Sequence, residues 1–109
     1  MATVYKVLGQ SNPAATTATT LYTVPASTSA VVSTISVANL TGTAATFRIA
    51  VRPAGASLAN QHYLAYDVTV AASDTTVMTL GVTLATTDVI TVYASTANLA
   101  FSAFGSEIS

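Results

Sequence analysis

The chain has no cysteine and no tryptophan among its 109 residues, a single histidine, and only 6% Asp, Glu, Lys and Arg. Each shortage excludes something. Without cysteine there are no disulfide staples, no thiolate metal sites and no cysteine nucleophile, and stability must come from packing or from partners. The same lack fits assembly in a reducing cytoplasm. A soluble globular domain carries about 25% charged residues, and free-standing domains use that charge for solubility and mutual repulsion. Here Thr, Ser, Ala and Asn take its place. Such side chains hydrogen-bond well but put little repulsion between copies. The composition favours a subunit of a permanent assembly, with a homo-oligomer, a trimer first, as the expected state.

Lys6, Arg48 and Arg52 are the only strong cations, and the formal net charge is -1. Three cations cannot neutralise a run of phosphates, so nucleic acid is not an expected partner. Thr or Ser interrupts every apolar run, and none approaches the roughly 18 consecutive apolar residues of a membrane helix. An outer-membrane barrel alternates polar and apolar residues too, but its aromatic girdles are missing, and no membrane partner is expected. Met1 to Lys6 shows no basic patch leading into an apolar run, so no secretion signal is read there. Residues 1–109 are read as a single domain whose core must be built mainly from Val, Ile, Leu and Ala.

Helical periodicity is nearly absent, whereas Thr and Val, whose branched Cβ atoms suit a pleated surface, dominate. Strands are expected at Thr3–Leu8, Leu21–Val24, Ala30–Asn39, Ala44–Arg52, His62–Val70, Thr75–Leu80, Asp88–Ala94 and Asn98–Phe104. Alternation puts Val31, Ser33, Ile35 and Val37 on one face, with Phe47, Ile49 and Val51 inward on the next strand. Thr41-Gly42-Thr43 reads as the turn of a hairpin between those two strands, and Ser95-Thr96-Ala97 as the link of a final pair. Leu64, Tyr66, Val68 and Val70 share one face of their strand, opposed to Tyr63, Ala65 and Asp67. Residues 12–20, with Asn12-Pro13 ahead of a Thr/Ala tract, hold too little apolar mass to anchor themselves. They are expected to form a flexible or partner-bound arm. Turns every eight to twelve residues predict an all-β fold, an antiparallel sandwich or jelly roll of about eight short strands.

Catalysis needs convergent activated groups, and the sequence supplies no such set. His62 is the sole histidine and stands without a neighbouring ligand set or a G-x-S-x-G motif, so it reads as a loop-edge or interface side chain. Asp67, Asp74 and Asp88 are isolated, lack the D-x-D spacing of a calcium loop, and read as turn residues. No Gly-rich phosphate loop is present. The chain is read as a non-enzyme with no catalytic, cofactor or metal residues.

Arg48 and Arg52 are different, since two of three cations project from one side of a single strand. A rigid guanidinium fork pairs well with carboxylates or carbonyls across an interface. The competing reading is a solvated face in which an arginine pairs with Asp67 on a neighbouring strand. Arg48, Arg52 and His62 are therefore the interface candidates.

Three segments carry a likeness as a set: Leu21-Tyr22-Thr23-Val24-Pro25-Ala26, the run Thr46 to Gly55 (TFRIAVRPAG), and Phe104-Gly105-Ser106-Glu107-Ile108. With them goes VVSTISVAN at residues 31–39. Together they resemble small virion structural proteins of tailed bacteriophages, including phages of cyanobacteria, from about Tyr5 to Ile108. The resemblance implies a β-sandwich module of a capsid decoration (cement) protein. Its partners would be the major capsid protein or other virion proteins, and its place the virion, after assembly in the host cytoplasm. A tail, fibre or baseplate component is the alternative. A host-surface glycan-binding module is a further one, opposed by the absence of Trp and by the expected placement of Tyr63 and Tyr66 on opposite faces. No functional residue carries over, because these families work through interfaces.

Overall fold

Branched Thr and Val side chains recur along the chain, and the backbone answers with extended structure almost throughout. The computed structural model describes residues 2–109. Its strands are β1 (Thr3–Ser11), β2 (Thr19–Thr23), β3 (Ser29–Asn39), β4 (Ala45–Arg52), β5 (Tyr63–Val70), β6 (Thr75–Leu84), β7 (Val89–Ala94) and β8 (Leu99–Ile108). They form two four-stranded sheets, ordered β1-β8-β3-β6 and β2-β7-β4-β5.

Antiparallel pairing joins β1 with β8, β2 with β7, β3 with β6 and β4 with β5. The chain is thus one long hairpin with its tip between β4 and β5. It is rolled up so that β8 also pairs with β3 and β7 with β4. This is the eight-stranded jelly roll, an all-β antiparallel sandwich.

Two expected pairings are corrected by this topology. β3 and β4 lie in different sheets, as do β7 and β8, so neither Thr41-Gly42-Thr43 nor Ser95-Thr96-Ala97 closes a hairpin. Alternation could not separate the cases, because a strand crossing to the facing sheet still turns its apolar side inward. The first corner is held by Asn39, only 4% exposed. Its Nδ2 donates to the Thr43 carbonyl at 2.8 Å, while its Oδ1 accepts from the Thr41 N–H at 3.1 Å. Only the β4–β5 link, residues 53–62, stays within one sheet, and it does so through two short 3-10 turns.

Between the sheets, Ile35, Val37, Phe47 and Ile49 are essentially inaccessible to solvent, as alternation requires. Phe47 meets Phe101 edge to face, centroids 6.0 Å apart, the geometry that ring quadrupoles favour. Val51 packs at the margin of this core. The Val31 face is corrected. A bulge between Val32 and Thr34 flips the parity, so Val32 points inward and Val31 out. β6 runs past Leu80 to Leu84 through Gly81, whose φ of +149° a side chain would strain.

The expected arm takes a different course. β1 extends to Ser11, and Thr19 and Thr20 belong to β2, an edge strand of the chain's own sandwich. In between, the Asn12 amide donates to the carbonyls of Ala97 (2.9 Å) and Leu99 (2.8 Å). Pro13 is buried, and the Thr16 N–H donates to the Ala94 carbonyl at 2.8 Å. Counting apolar residues overlooked this segment because its principal tether is a polar side chain.

Candidate binding and assembly surfaces

The two outer faces of the sandwich differ in chemistry. On the β2-β7-β4-β5 sheet, Arg48 projects outward from β4. Its guanidinium carbon lies 4.1 Å from the centre of the Tyr66 ring and 4.3 Å from that of Tyr93. Its Nε donates to Asp67 Oδ1 at 2.7 Å and its Nη2 to Oδ2 at 3.4 Å. The planar cation is thus stacked on two π-faces and forked onto a carboxylate, an arrangement lysine could not reproduce. Asp67 holds the Arg48 pKa even higher than usual through this bond.

Local irregularity in β5 makes the cluster. Phe47 pairs with Val68 and Ile49 with Ala65, so Tyr66 and Asp67 together oppose the single residue Arg48. Asp67 takes the left-handed conformation, φ 52°, which Asp tolerates better than most residues. A second shift follows between Ile49 and Ala50. The expected common face of β5 is therefore wrong at its start: Leu64 and Tyr66 are 47% and 56% exposed while Val70 is buried. Tyr63 and Tyr66 are likewise not on opposite faces. Their rings stand edge to face at 87°, centroids 4.9 Å apart. With Asn60 they line a shallow, open depression of about 340 Å³.

Of the three interface candidates, Arg48 alone belongs to this cluster. Arg52 shares the outer side of β4, but its Nε donates to Thr91 Oγ1 at 3.0 Å and its Nη1 to the Ala56 carbonyl at 3.1 Å. Its fork is occupied in fastening the turn at Pro53–Gly55 to the sheet. His62 is 9% exposed, and its Nδ1 accepts the Ala59 N–H at 3.0 Å, which closes the turn ahead of β5. Asp88 accepts from the N–H groups of Ala54 and Ala85, both at 2.9 Å, and Asp74 from that of Thr75 at 2.8 Å. Among the described residues no group of three or more His, Cys, Asp or Glu side chains stands close enough to share a metal ion.

Among the described residues, the side chains that point outward from the β1-β8-β3-β6 sheet are uncharged. Tyr5, Val7, Val77 and Phe104 are exposed there, at 84%, 47%, 59% and 37%, among outward Thr34, Ser36, Thr75, Thr79 and Ser102. A shallow groove of about 440 Å³ runs beside Tyr5, Lys6, Val31, Ser33 and Phe104. Lys6, between Tyr5 and Val7, lies at the rim, where its Nζ pairs with Glu107 Oε1 at 3.0 Å. The other Glu107 oxygen accepts the hydroxyl of Tyr22 from the opposite sheet. Burial and that bond push the Tyr22 pKa well above its ordinary value, and the Tyr22 and Lys6 bonds lower that of Glu107. The seven charged side chains thus lie in the second sheet's outer face, in turns, or in this rim pair.

No protein-family model matches the chain, and neither do any curated proteins or solved structures. Of the two readings open for Arg48, an interface residue or a pairing with Asp67, the structure shows the pairing. Sequence reasoning missed Tyr93, which the regular β4–β7 pairing sets opposite Arg48, and it missed Asn60 and the Tyr63–Tyr66 corner, because no glycine marks the shift at Leu64 that puts both rings on one face.

Proposed function

We propose that this chain is a non-enzymatic structural subunit of a bacteriophage virion, a capsid decoration protein that bridges and stabilises neighbouring major capsid subunits. The observation that carries the reading is the four-stranded outer face of β1-β8-β3-β6, whose described outward side chains are uncharged and which exposes Tyr5, Val7, Val77 and Phe104. Buried centres of protein interfaces are depleted in charged residues and enriched in aromatic ones, and permanent interfaces are more apolar than ordinary surface. Serine and threonine hydroxyls around such a patch can trade water for partner hydrogen bonds without the larger desolvation cost of charge. The jelly roll recurs in viral capsid components, which supports the reading as fold-level analogy, and the likeness of the LYTVPA and TFRIAVRPAG segments to phage virion modules points the same way.

A tail, fibre or baseplate subunit would use the same face, and copy number separates the two. Quantitative mass spectrometry of purified particles is expected to find the protein in stoichiometric proportion to the major capsid protein. A handful of copies per particle would move it to the tail. Absence from particles, together with a stable monomer in light scattering at micromolar concentration, would overturn the assembly reading altogether.

A further inference from the structure

The depression on the second sheet is a separate feature that particle assembly does not call upon. We propose that Asn60, Tyr63 and Tyr66 form a binding site for a neutral saccharide. The two tyrosine rings meet at 87° with centroids 4.9 Å apart, making an apolar corner that can take the C–H face of a pyranose against one ring and its edge against the other. The Asn60 amide and the tyrosine hydroxyls supply donors and acceptors at the margin, which sugar hydroxyls can match in either sense. The space beside the two rings, about 340 Å³, is shallow and open to solvent, so a sugar would rest against the tyrosines and not be enclosed by them.

Charge decides the ligand class. The nearest cation, Arg48, is neutralised by Asp67 at 2.7 Å and its faces are covered by Tyr66 and Tyr93. An anionic ligand would have to displace Asp67, and a cationic one finds no unpaired carboxylate. The uncharged ligand is what remains.

The corner is also held in place before any ligand arrives. Arg48 clamps Tyr66 from beneath, the bulge at Asp67 sets the direction of that ring, and His62 Nδ1 closes the turn that presents Asn60 and Tyr63. A rigid site loses less freedom on binding. The site lies on the sheet opposite the uncharged face, so a subunit docked through Tyr5 and Phe104 would still present it. It stands or falls independently of the particle role.

The test uses the purified full chain on a printed array of neutral, sialylated and sulfated oligosaccharides, with a proline-rich decapeptide as the competing aromatic-seeking probe. The strongest neutral binder is then titrated by heteronuclear NMR. Neutral glycan binding is expected, with amide shifts centred on Asn60, Tyr63 and Tyr66. Tyr66→Ala and Asn60→Ala should each weaken it at least ~10-fold, about 1.4 kcal/mol, while Tyr5→Ala leaves it unchanged. Circular dichroism checks each variant, and Asn60→Ala, on an exposed turn, carries the test should Tyr66→Ala unfold. Binding to no neutral glycan, binding only to acidic glycans or the peptide, or binding indifferent to both substitutions would each overturn the proposal.

Discussion

Gly105 on β8 lies so close to β3 that a Cβ at this position would overlap the backbone carbonyl of Val31. The contact sits where Val32 pairs with Gly105, immediately before the bulge at Ser33. Gly105 is therefore needed for space and not for an unusual dihedral angle. Because the obstacle is backbone, it cannot rotate away as a side-chain tip would. Gly105→Ala should destabilise by about 3 kcal/mol or more, the upper part of the overpacking range. Urea melts of variant and parent check this, and an unchanged midpoint would mean the two strands have room to spare.

At the centre of the sandwich the opposite change applies. Phe47 is fully buried against Phe101, and Phe47→Ala removes a ring from a space whose walls are two hydrogen-bonded sheets. The expected loss is about 3–5 kcal/mol, a large share of the roughly 5–15 kcal/mol that holds a small domain together. A loss under ~1 kcal/mol would mean that the ring does not face the core, since a one-residue slip exchanges the two faces.

The Phe47 environment was readable because β4 keeps strict alternation from Ala45 to Ile49. Ile35 and Val37 were readable for the same reason. What alternation could not reveal was where it breaks. Extra residues at Ser33, at Asp67 and at Leu64 each flip the side chains beyond them, the one at Leu64 setting Tyr63 on the same side as Tyr66, and none of these positions carries the glycine that commonly marks a bulge. So Val31 and Val32 exchanged sides, and Tyr63 was placed away from Tyr66. Sheet membership was hidden too, because β3 and β4 both face one core whether they pair or stack. Asn12 escaped notice because its hold on Ala97 and Leu99 depends on long-range proximity that only the rolled-up topology creates.

That hold can be measured. Asn12→Ala removes two hydrogen bonds that tie the residue 12–18 segment to the start of β8, and net contributions of about 0.5–1.5 kcal/mol per bond are typical. The segment should open more often while the sandwich stays folded. Amide hydrogen exchange is the readout: protection at Thr16, whose N–H donates to Ala94, should fall in the variant while that of β4 and β7 is retained. Fast exchange at Thr16 already in the parent chain would instead restore the mobile-arm expectation.

The rim cluster should make stability depend on pH at both ends of the range. The Glu107 pKa is lowered from 4.5 by the Tyr22 hydroxyl first and Lys6 second. Its contribution to stability is therefore complete above about pH 4.5 and is lost as the pH falls through the lowered folded value. Tyr22 works from the other side. Burial and the Glu107 carboxylate raise its pKa above 10.0, so its contribution is complete below pH 10 and is lost as the pH rises through the raised folded value. Glu107→Gln should flatten the acid limb of the stability profile, and Tyr22→Phe the alkaline limb. Thermal melts from pH 3 to 11 check both, and an acid limb unaffected by Glu107→Gln would assign it to other carboxylates.

The assembly reading makes its own demand on the uncharged face. Val77 is 59% exposed on the outer side of edge strand β6, where a polar replacement costs the fold little, within about 0.5 kcal/mol for ordinary surface positions. Phe104, 37% exposed on β8, is closer to the middle of the sheet. An aspartate at either place brings charge among described outward side chains that carry none, and burying it against a partner costs far more than exposing it to water. Val77→Asp should therefore dissociate the oligomer while circular dichroism and melting temperature stay near those of the parent chain, and Phe104→Asp should dissociate it too, with a lower melting temperature because the ring is more than half buried. Tyr66→Asp, on the opposite sheet, serves as the control and should leave assembly intact. Light scattering distinguishes the outcomes. Should the oligomer survive both substitutions and be split by Tyr66→Asp, the faces have been assigned the wrong way round, and the tyrosine corner is the subunit contact.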